Sequence, residues 1–202
     1  GKSVMIKCLI GLEIPDSGTI EIMSQKLEHL SLKALDEIRA DIGFLFQGSA
    51  LYDSMTVREN LEFPLRRHIS KLGNVKDTLP LVEEALQNVG LKNVIDLMPN
   101  ELSGGMKRRV ALARTLILKP KIIIYDEPTT GLDPITSKEI ILLMKSVQEK
   151  YKTSSIIITH DVDCARVIAN RMILLIDGKN YAEGTFAELS TSQDPKVKAF
   201  FK

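Results

Sequence analysis

The chain has little of what marks a secreted, membrane-spanning or nucleic-acid-binding protein. Only two cysteines, Cys8 and Cys164, occur in 202 residues. Both fall in apolar helical patterns, which excludes a disulfide framework and suits two buried small hydrophobes in a reducing compartment. No run approaches the roughly 20 apolar residues that a spanning helix needs, and no signal peptide leads the chain, so a soluble protein is expected. An excess of charge is absent too. Against 27 Lys and Arg stand 26 Asp and Glu, a formal net charge of +1, so no overall field draws the chain to nucleic acid or an anionic bilayer. Any partner must be recognised by a local site. Internal repeats and low-complexity linkers are missing, and at this length one domain, or one with an insertion, buries roughly 70% of its unfolded-state surface. There is no initiator Met, and the chain opens inside a motif, so its natural N-terminus is expected upstream of Gly1.

What is present begins with "GKSVMIKCLIGLEIPDSGTIEI". Gly1-Lys2-Ser3 before an apolar helical stretch matches the back half of a phosphate-binding loop, G-x-x-x-x-G-K-[ST], without its front half. Taken alone, the triplet fits an ordinary loop as well. Val4 to Ile10 is apolar nearly all round and Gly11 follows as a C-terminal cap, which predicts a short buried helix springing from that turn. Pro15-Asp16-Ser17-Gly18 reads as a turn, and Thr19 to Met23 alternates as an edge strand does. Three further runs, Ile42 to Phe46, Ile122 to Tyr125 and Ser155 to Thr159, are nearly continuous in apolar character. Such runs suit parallel strands buried on both faces.

Helices are punctuated between them. Thr56-Val57-Arg58-Glu59 and Thr185-Phe186-Ala187-Glu188 are capping boxes, and Asp133-Pro134 supplies an N-cap and first-turn proline for a helix to about Lys150. Asp177-Gly178 predicts a tight hairpin between Met172–Ile176 and Lys179–Ala182. The alternation argues for an α/β layered core made of residues 1–47 and 119–202, with the strand-free stretch 48–118 inserted as a helical subdomain.

Four motifs sit where this layout brings chemistry. "KIIIYDEPTTGLDP" ends a buried strand in Asp126-Glu127, two carboxylates at the C-terminal edge of a parallel sheet, where open α/β sheets bind ligands. Asp126 there suits Mg²⁺ held through water, and Glu127 suits a base for an attacking water; the same acids serve equally to cap a strand end. "ELSGGMKRRVALAR" offers Ser103 as N-cap and two glycines, Gly104 and Gly105, before a helix from about Met106, whose free N–H groups suit a phosphate. Its Lys107-Arg108-Arg109 reads as a solvated face. Gln47 follows "IGFLF" and His160 follows "SIIIT" at the same sheet edge.

Together these motifs resemble, in order and spacing, the ATPases of ABC transporters, and the resemblance spans essentially the whole chain. It implies a P-loop NTPase, RecA-like, α/β fold: a parallel-sheet core, an inserted α-helical signature subdomain and a small antiparallel β element. By position it implies that Gly1, Lys2 and Ser3 bind ATP, Lys2 through the β- and γ-phosphates, and that Ser3, Asp126 and Gln47 attend Mg²⁺. Glu127 would orient the water, Gln47 would report on metal and water, and His160 would contact the γ-phosphate. Ser103, Gly104 and Gly105 would act in trans on the nucleotide of a second copy, with Asp133 at the interface, giving a head-to-tail ATP dimer. Met106 stands where most relatives have Gln; turnover is expected to survive, because the backbone amides remain.

"LFQGSALYDSMTVRENLEFPL", "LMPNELSGGMKRRVALARTL", "DEPTTGLDPIT" and "DPKVKAFF" resemble the Mla-type phospholipid transporter branch. That implies an integral membrane permease as partner, an MCE-type lipid-binding subunit, and a peripheral place on the cytoplasmic face of the inner membrane. Leu51, Tyr52, Met55 and Phe63 lie where the family receives a permease coupling helix; Phe63 reads better as the helical subdomain's own core. A lipoprotein or amino-acid ABC ATPase, or an ATP-driven switch of the cell-division type, shares the same catalytic residues. DNA-repair and translation members differ, since they carry coiled-coil insertions or two cassettes.

Overall fold

The computed structural model describes residues 1–68 and 77–201, with Ser3 described through its backbone alone. The opening residues form α1 (Lys2–Leu9), whose first turn is closed by Met5 N–H donating to the Gly1 carbonyl at 3.1 Å. Gly11 follows at φ +67°, a conformation that favours glycine and ends the helix as expected. Burial all round does not occur. Ile6 packs against Ile124 and Ile158, while Val4 is 57% exposed, because a helix lying on one face of a sheet covers a single stripe. The Thr19–Met23 run shortens to β1 (Glu21–Ile22), paired antiparallel with β2 (Gln25–Lys26) across Met23 and Ser24, both at positive φ.

After α2 (Leu32–Ala40) and β3 (Ile42–Leu45) come three helices, α3 (Val57–Arg67), α4 (Leu79–Asn88) and α5 (Gly104–Leu116). Then come β4 (Ile122–Asp126), α6 (Pro134–Tyr151), β5 (Ser154–Ile158), α7 (Val162–Ile168), β6 (Met172–Ile176), β7 (Lys179–Gly184), α8 (Phe186–Ser190) and α9 (Pro195–Lys198). The β3, β4 and β5 strands pair in parallel in that order, Ile42 opposite Ile122 and Ile122 opposite Ser154. Their C-terminal ends therefore share one edge, and the residues just past each strand are delivered there. β4, central, is buried as its apolar run predicts. β5 is not buried on both faces: among the described residues it pairs on one side only, and Ser154 and Ile156 are exposed.

The main hydrophobic cluster runs without a break from the sheet (Leu45, Ile123, Tyr125) into α3, α4 and α5 (Leu61, Val82, Leu112). Close backbone approach accompanies it, since a Cβ on Gly43 would lie 2.5 Å from Thr115 Cγ2. Asp177-Gly178 forms the hairpin between β6 and β7 with both residues at positive φ, the geometry whose twist matches antiparallel strands. Both capping boxes form, at Thr56 and Thr185.

Two buried polar groups order α3. Asn60 Nδ2 donates to the Tyr52, Met55 and Thr56 carbonyls while its Oδ1 accepts the Tyr52 N–H, which pins the loop after β3 onto the helix. Glu62 is buried too. Burial by itself raises its pKa, but the bonds from Arg58, Arg66 and Thr78 outweigh that and hold it at about 2, against 4.5 for a free carboxyl. Because the folded value is depressed, this stabilisation is complete above the unfolded value and is lost as pH falls toward the folded one. We predict that the denaturant midpoint falls between about pH 4.5 and 2 more steeply in the wild type than in Glu62→Gln. Equal slopes would remove Glu62 from the acid transition.

Candidate functional site

The end of β4 carries the centre of the site. Glu127 leaves the strand at φ +48°, a left-handed conformation that costs a non-glycine residue on the order of 1 kcal/mol or more and that collects at functional sites. It is held there by its N–H, which donates to the Ile158 carbonyl at 2.8 Å and so ties it to the end of β5. The carboxylate is 14% exposed, with Lys2 Nζ 3.5 Å from Oε1 and His160 Nδ1 2.8 Å from Oε2. Thr130 Oγ1 donates to Oε2 at 3.4 Å, as does the His160 N–H. A carboxylate accepts only, so Nδ1 of His160 carries the proton in that contact and Nε2 is left for another partner.

Lys2, Glu127 and His160, from the start of α1 and the ends of β4 and β5, are thus brought together. Beside them, burial and then the Glu127 charge push the Asp126 carboxyl up, with Lys2 acting the other way. Gln47, past the end of β3, is exposed at the same edge, and no hydrogen bond or ion pair joins its side chain to the Lys2–Glu127–His160 group. The Ser3 side chain lies outside the described residues.

A divalent cation fits the donor set. Asp126 and Glu127 are adjacent carboxylates whose mutual repulsion a cation relieves. Nowhere among the described residues, this edge included, do three His, Cys, Asp or Glu side chains converge as a protein-only metal cage. One or two carboxylates completed by water and phosphate oxygens is the way Mg²⁺ is usually held.

A second group forms where α5 and α6 begin. Ser103 caps α5, its hydroxyl accepting the Met106 N–H at 3.2 Å, so the helix starts at Gly104, two residues before the expected Met106. A Cβ on Gly105 would lie 2.7 Å from Thr136 Cγ2, which is why the two helix starts can touch. Asp133 caps α6 through the Ile135 and Thr136 N–H groups, both at 3.0 Å. Bonds from Thr136 lower its pKa. No hydrogen bond or ion pair joins Ser103, Gly104, Gly105 or Asp133 to the Glu127 group. Met106 packs against the main core, which explains an apolar residue there.

Two sequence readings need correction. The basic triplet is not a solvated face: Arg108 is 3% exposed, Arg109 bonds the Val89 carbonyl and Glu139, and burial lowers the Arg108 pKa. The signal was available, because position 108 lies one turn before Leu112 on the buried stripe of α5. Phe63 is not core either. It is 37% exposed and its ring lies 4.9 Å from that of Tyr52, on a groove of about 380 Å³ that Phe44, Phe46 and Arg114 also line. Sequence reading also missed Thr130 and the Thr129 hydroxyl, which donates to Asp161 at 3.0 Å and links the turn after Glu127 to the cap of α7.

The profile of the ABC transporter family matches residues 1–130 of this chain. The intermembrane phospholipid transport system ATP-binding protein MlaF of Haemophilus influenzae is 40% identical over 202 residues, all of this chain and 76% of that protein. The methionine import ATP-binding protein MetN of Campylobacter jejuni is 36% identical over 99% of this chain, which spans 64% of that protein's length. The dimeric post-hydrolysis structure of the ATP-binding cassette MJ0796 with ADP and Pi superposes with a TM-score of 0.80 at 35% identity, over 92% of this chain and 81% of that one. With a family profile over more than half of its length and relatives of this likeness, the chain belongs to the ABC transporter family as an ATPase.

Proposed function

We propose that this chain hydrolyses Mg²⁺-bound ATP with Glu127 as general base and that its turnover drives phospholipid movement between membranes of the cell envelope. The observation that carries the hydrolytic part is the Glu127 carboxylate gripped by Lys2 and His160 at the end of β4. A γ-phosphate brought to that point meets the same two donors. Lys2 binds the β- and γ-phosphate oxygens, His160 contacts the γ-phosphate, and the released Glu127 carboxylate orients the water and accepts its proton. Ser3, Asp126 and Gln47 would hold Mg²⁺, which when bound neutralises charge on the phosphate oxygens. Gly1 presents backbone at the start of α1. Ser103, Gly104 and Gly105, with Asp133 beside them, complete the site of a second copy, their helix N-terminus facing its phosphates.

The stretch 48–118 acts as the helical unit through which a permease is driven. Its groove at Tyr52 and Phe63 suits an apolar helix of that permease. No described helix is long and apolar enough to cross a membrane, and the proposed place is peripheral, on the cytoplasmic face of the inner membrane. Phospholipid is favoured by the MlaF likeness over the full chain, and an MCE-type subunit is inferred from the same likeness. The MetN likeness supports a small-solute importer as the second reading. Native mass spectrometry of the complete protein, expressed with its genomic neighbours and purified in mild detergent, tests this. A permease, an MCE-type subunit and bound phospholipid are expected; another permease, or no lipid, would replace the substrate while leaving the ATPase intact.

A further inference from the structure

The Arg108 guanidinium lies one turn into α5 and points away from solvent into the space between three segments. Nη1 donates to the Phe46 carbonyl at 2.7 Å, and Nη2 donates to the Gln47 carbonyl and to the Thr130 carbonyl at 3.3 Å. The Nε is buried without a hydrogen-bond partner in this structure. An arginine this buried, spending its charge on three neutral carbonyls with no carboxylate among its bonds, is costly, and so is its orphaned Nε.

The three carbonyls belong to segments close to the chemistry. Phe46 and Gln47 directly follow β3. Thr130 lies three residues after Glu127, its N–H donating to the Glu127 carbonyl at 3.3 Å and its hydroxyl to the Glu127 carboxylate. Arg108 itself rides on the helix that Ser103, Gly104 and Gly105 begin. One planar fork therefore fastens the signature helix to the glutamine segment and to the turn that braces the general base. A lysine offers one nitrogen and no fork, and cannot reproduce this.

We propose that Arg108 is a positioning residue for hydrolysis: it sets Gln47 and the Glu127–Thr130 turn in register with α5, so that both move only as α5 moves. Arg108 touches no reacting atom. Its effect reaches the chemistry through the two segments it holds, and it falls on turnover more than on nucleotide capture, which Lys2 governs from α1. The inference rests on the ATPase reading above.

The test uses the complete protein, with Arg108→Met, Arg108→Lys and, in parallel, Glu127→Gln. ATP turnover is normalised to nucleotide bound at saturation, and amide exchange is followed through residues 46–49 and 129–132. Displacing catalytic groups by about an ångström costs up to about a hundredfold. We expect Arg108→Met to lose between about tenfold and a hundredfold in kcat per bound nucleotide, with KM for ATP changed less than about threefold. Both segments should exchange faster while α6 does not, and Arg108→Lys should fall between wild type and Arg108→Met. Turnover per bound nucleotide equal to wild type would overturn the proposal, as would a loss that only tracks missing binding sites. If Arg108→Met fails to fold, Arg108→Lys decides alone by the same ratio. A wild type without turnover, or Glu127→Gln at wild-type rate, would instead defeat the ATPase reading, and the exchange data would still report whether Arg108 holds the two segments.

Discussion

Glu127→Gln in the complete protein is expected to slow ATP hydrolysis by about two to four orders of magnitude while nucleotide stays bound. The amide keeps the shape of the side chain, so the left-handed turn and the Glu127 N–H bond to Ile158 remain. The capacity to accept a proton from water is lost. The charge matters separately. In the structure Lys2 Nζ is 3.5 Å and His160 Nδ1 2.8 Å from this carboxylate, so Glu127 competes with phosphate for both donors. Neutralising it releases them, and ATP affinity should hold or rise. Single-turnover hydrolysis and equilibrium nucleotide titration on one preparation separate these effects. Wild-type turnover would remove Glu127 as the base; turnover and affinity falling together would mean that the carboxylate serves the binding site rather than the water.

The range of the forces involved decides how much of the fold and site is legible in the sequence. The three parallel strands, both capping boxes, the Asp177-Gly178 hairpin and the Asp133 cap are written in local patterns: runs of branched residues, a side chain that reaches its own backbone, a turn needing positive φ. The structure agrees with each to within a few residues. Lys2, Glu127 and His160 can be named from motif order, and they meet because three segments reach one sheet edge. Phe63 is misread from sequence because its environment is set at long range; the burial of Arg108 is signalled by its spacing from Leu112 on α5, but the partners that accept its charge are set at long range too. Arg108 is buried by carbonyls 61 and 62 residues away in the chain, and Phe63 is exposed because Tyr52 and Arg114 build a groove beside it. Thr130's contact with Glu127 depends on a left-handed glutamate, a conformation no propensity predicts.

Lys2→Ala should act on binding, where Glu127→Gln acts on turnover. A charge-assisted contact to phosphate is worth about 1.5–3 kcal/mol, which corresponds to roughly a ten- to hundredfold rise in Kd for ATP. Here a second effect has the same sign. Lys2 is one of three proton-donating side chains on the Glu127 carboxylate, beside His160 and Thr130, and it also opposes the rise in the Asp126 pKa. Without it two carboxylates face the incoming triphosphate with less compensation, and the loss should reach the upper end of that range. Lys2→Arg keeps the charge and should recover part of the affinity, although a planar fork sits less well than a point donor where several phosphate oxygens converge. Titration of each variant with ATP and Mg²⁺, alongside a thermal melt without nucleotide, checks the argument. Unchanged affinity in a folded Lys2→Ala protein would mean that Gly1-Lys2-Ser3 is not the phosphate-binding turn, and Glu127 and His160 would then need another cation to explain what they face.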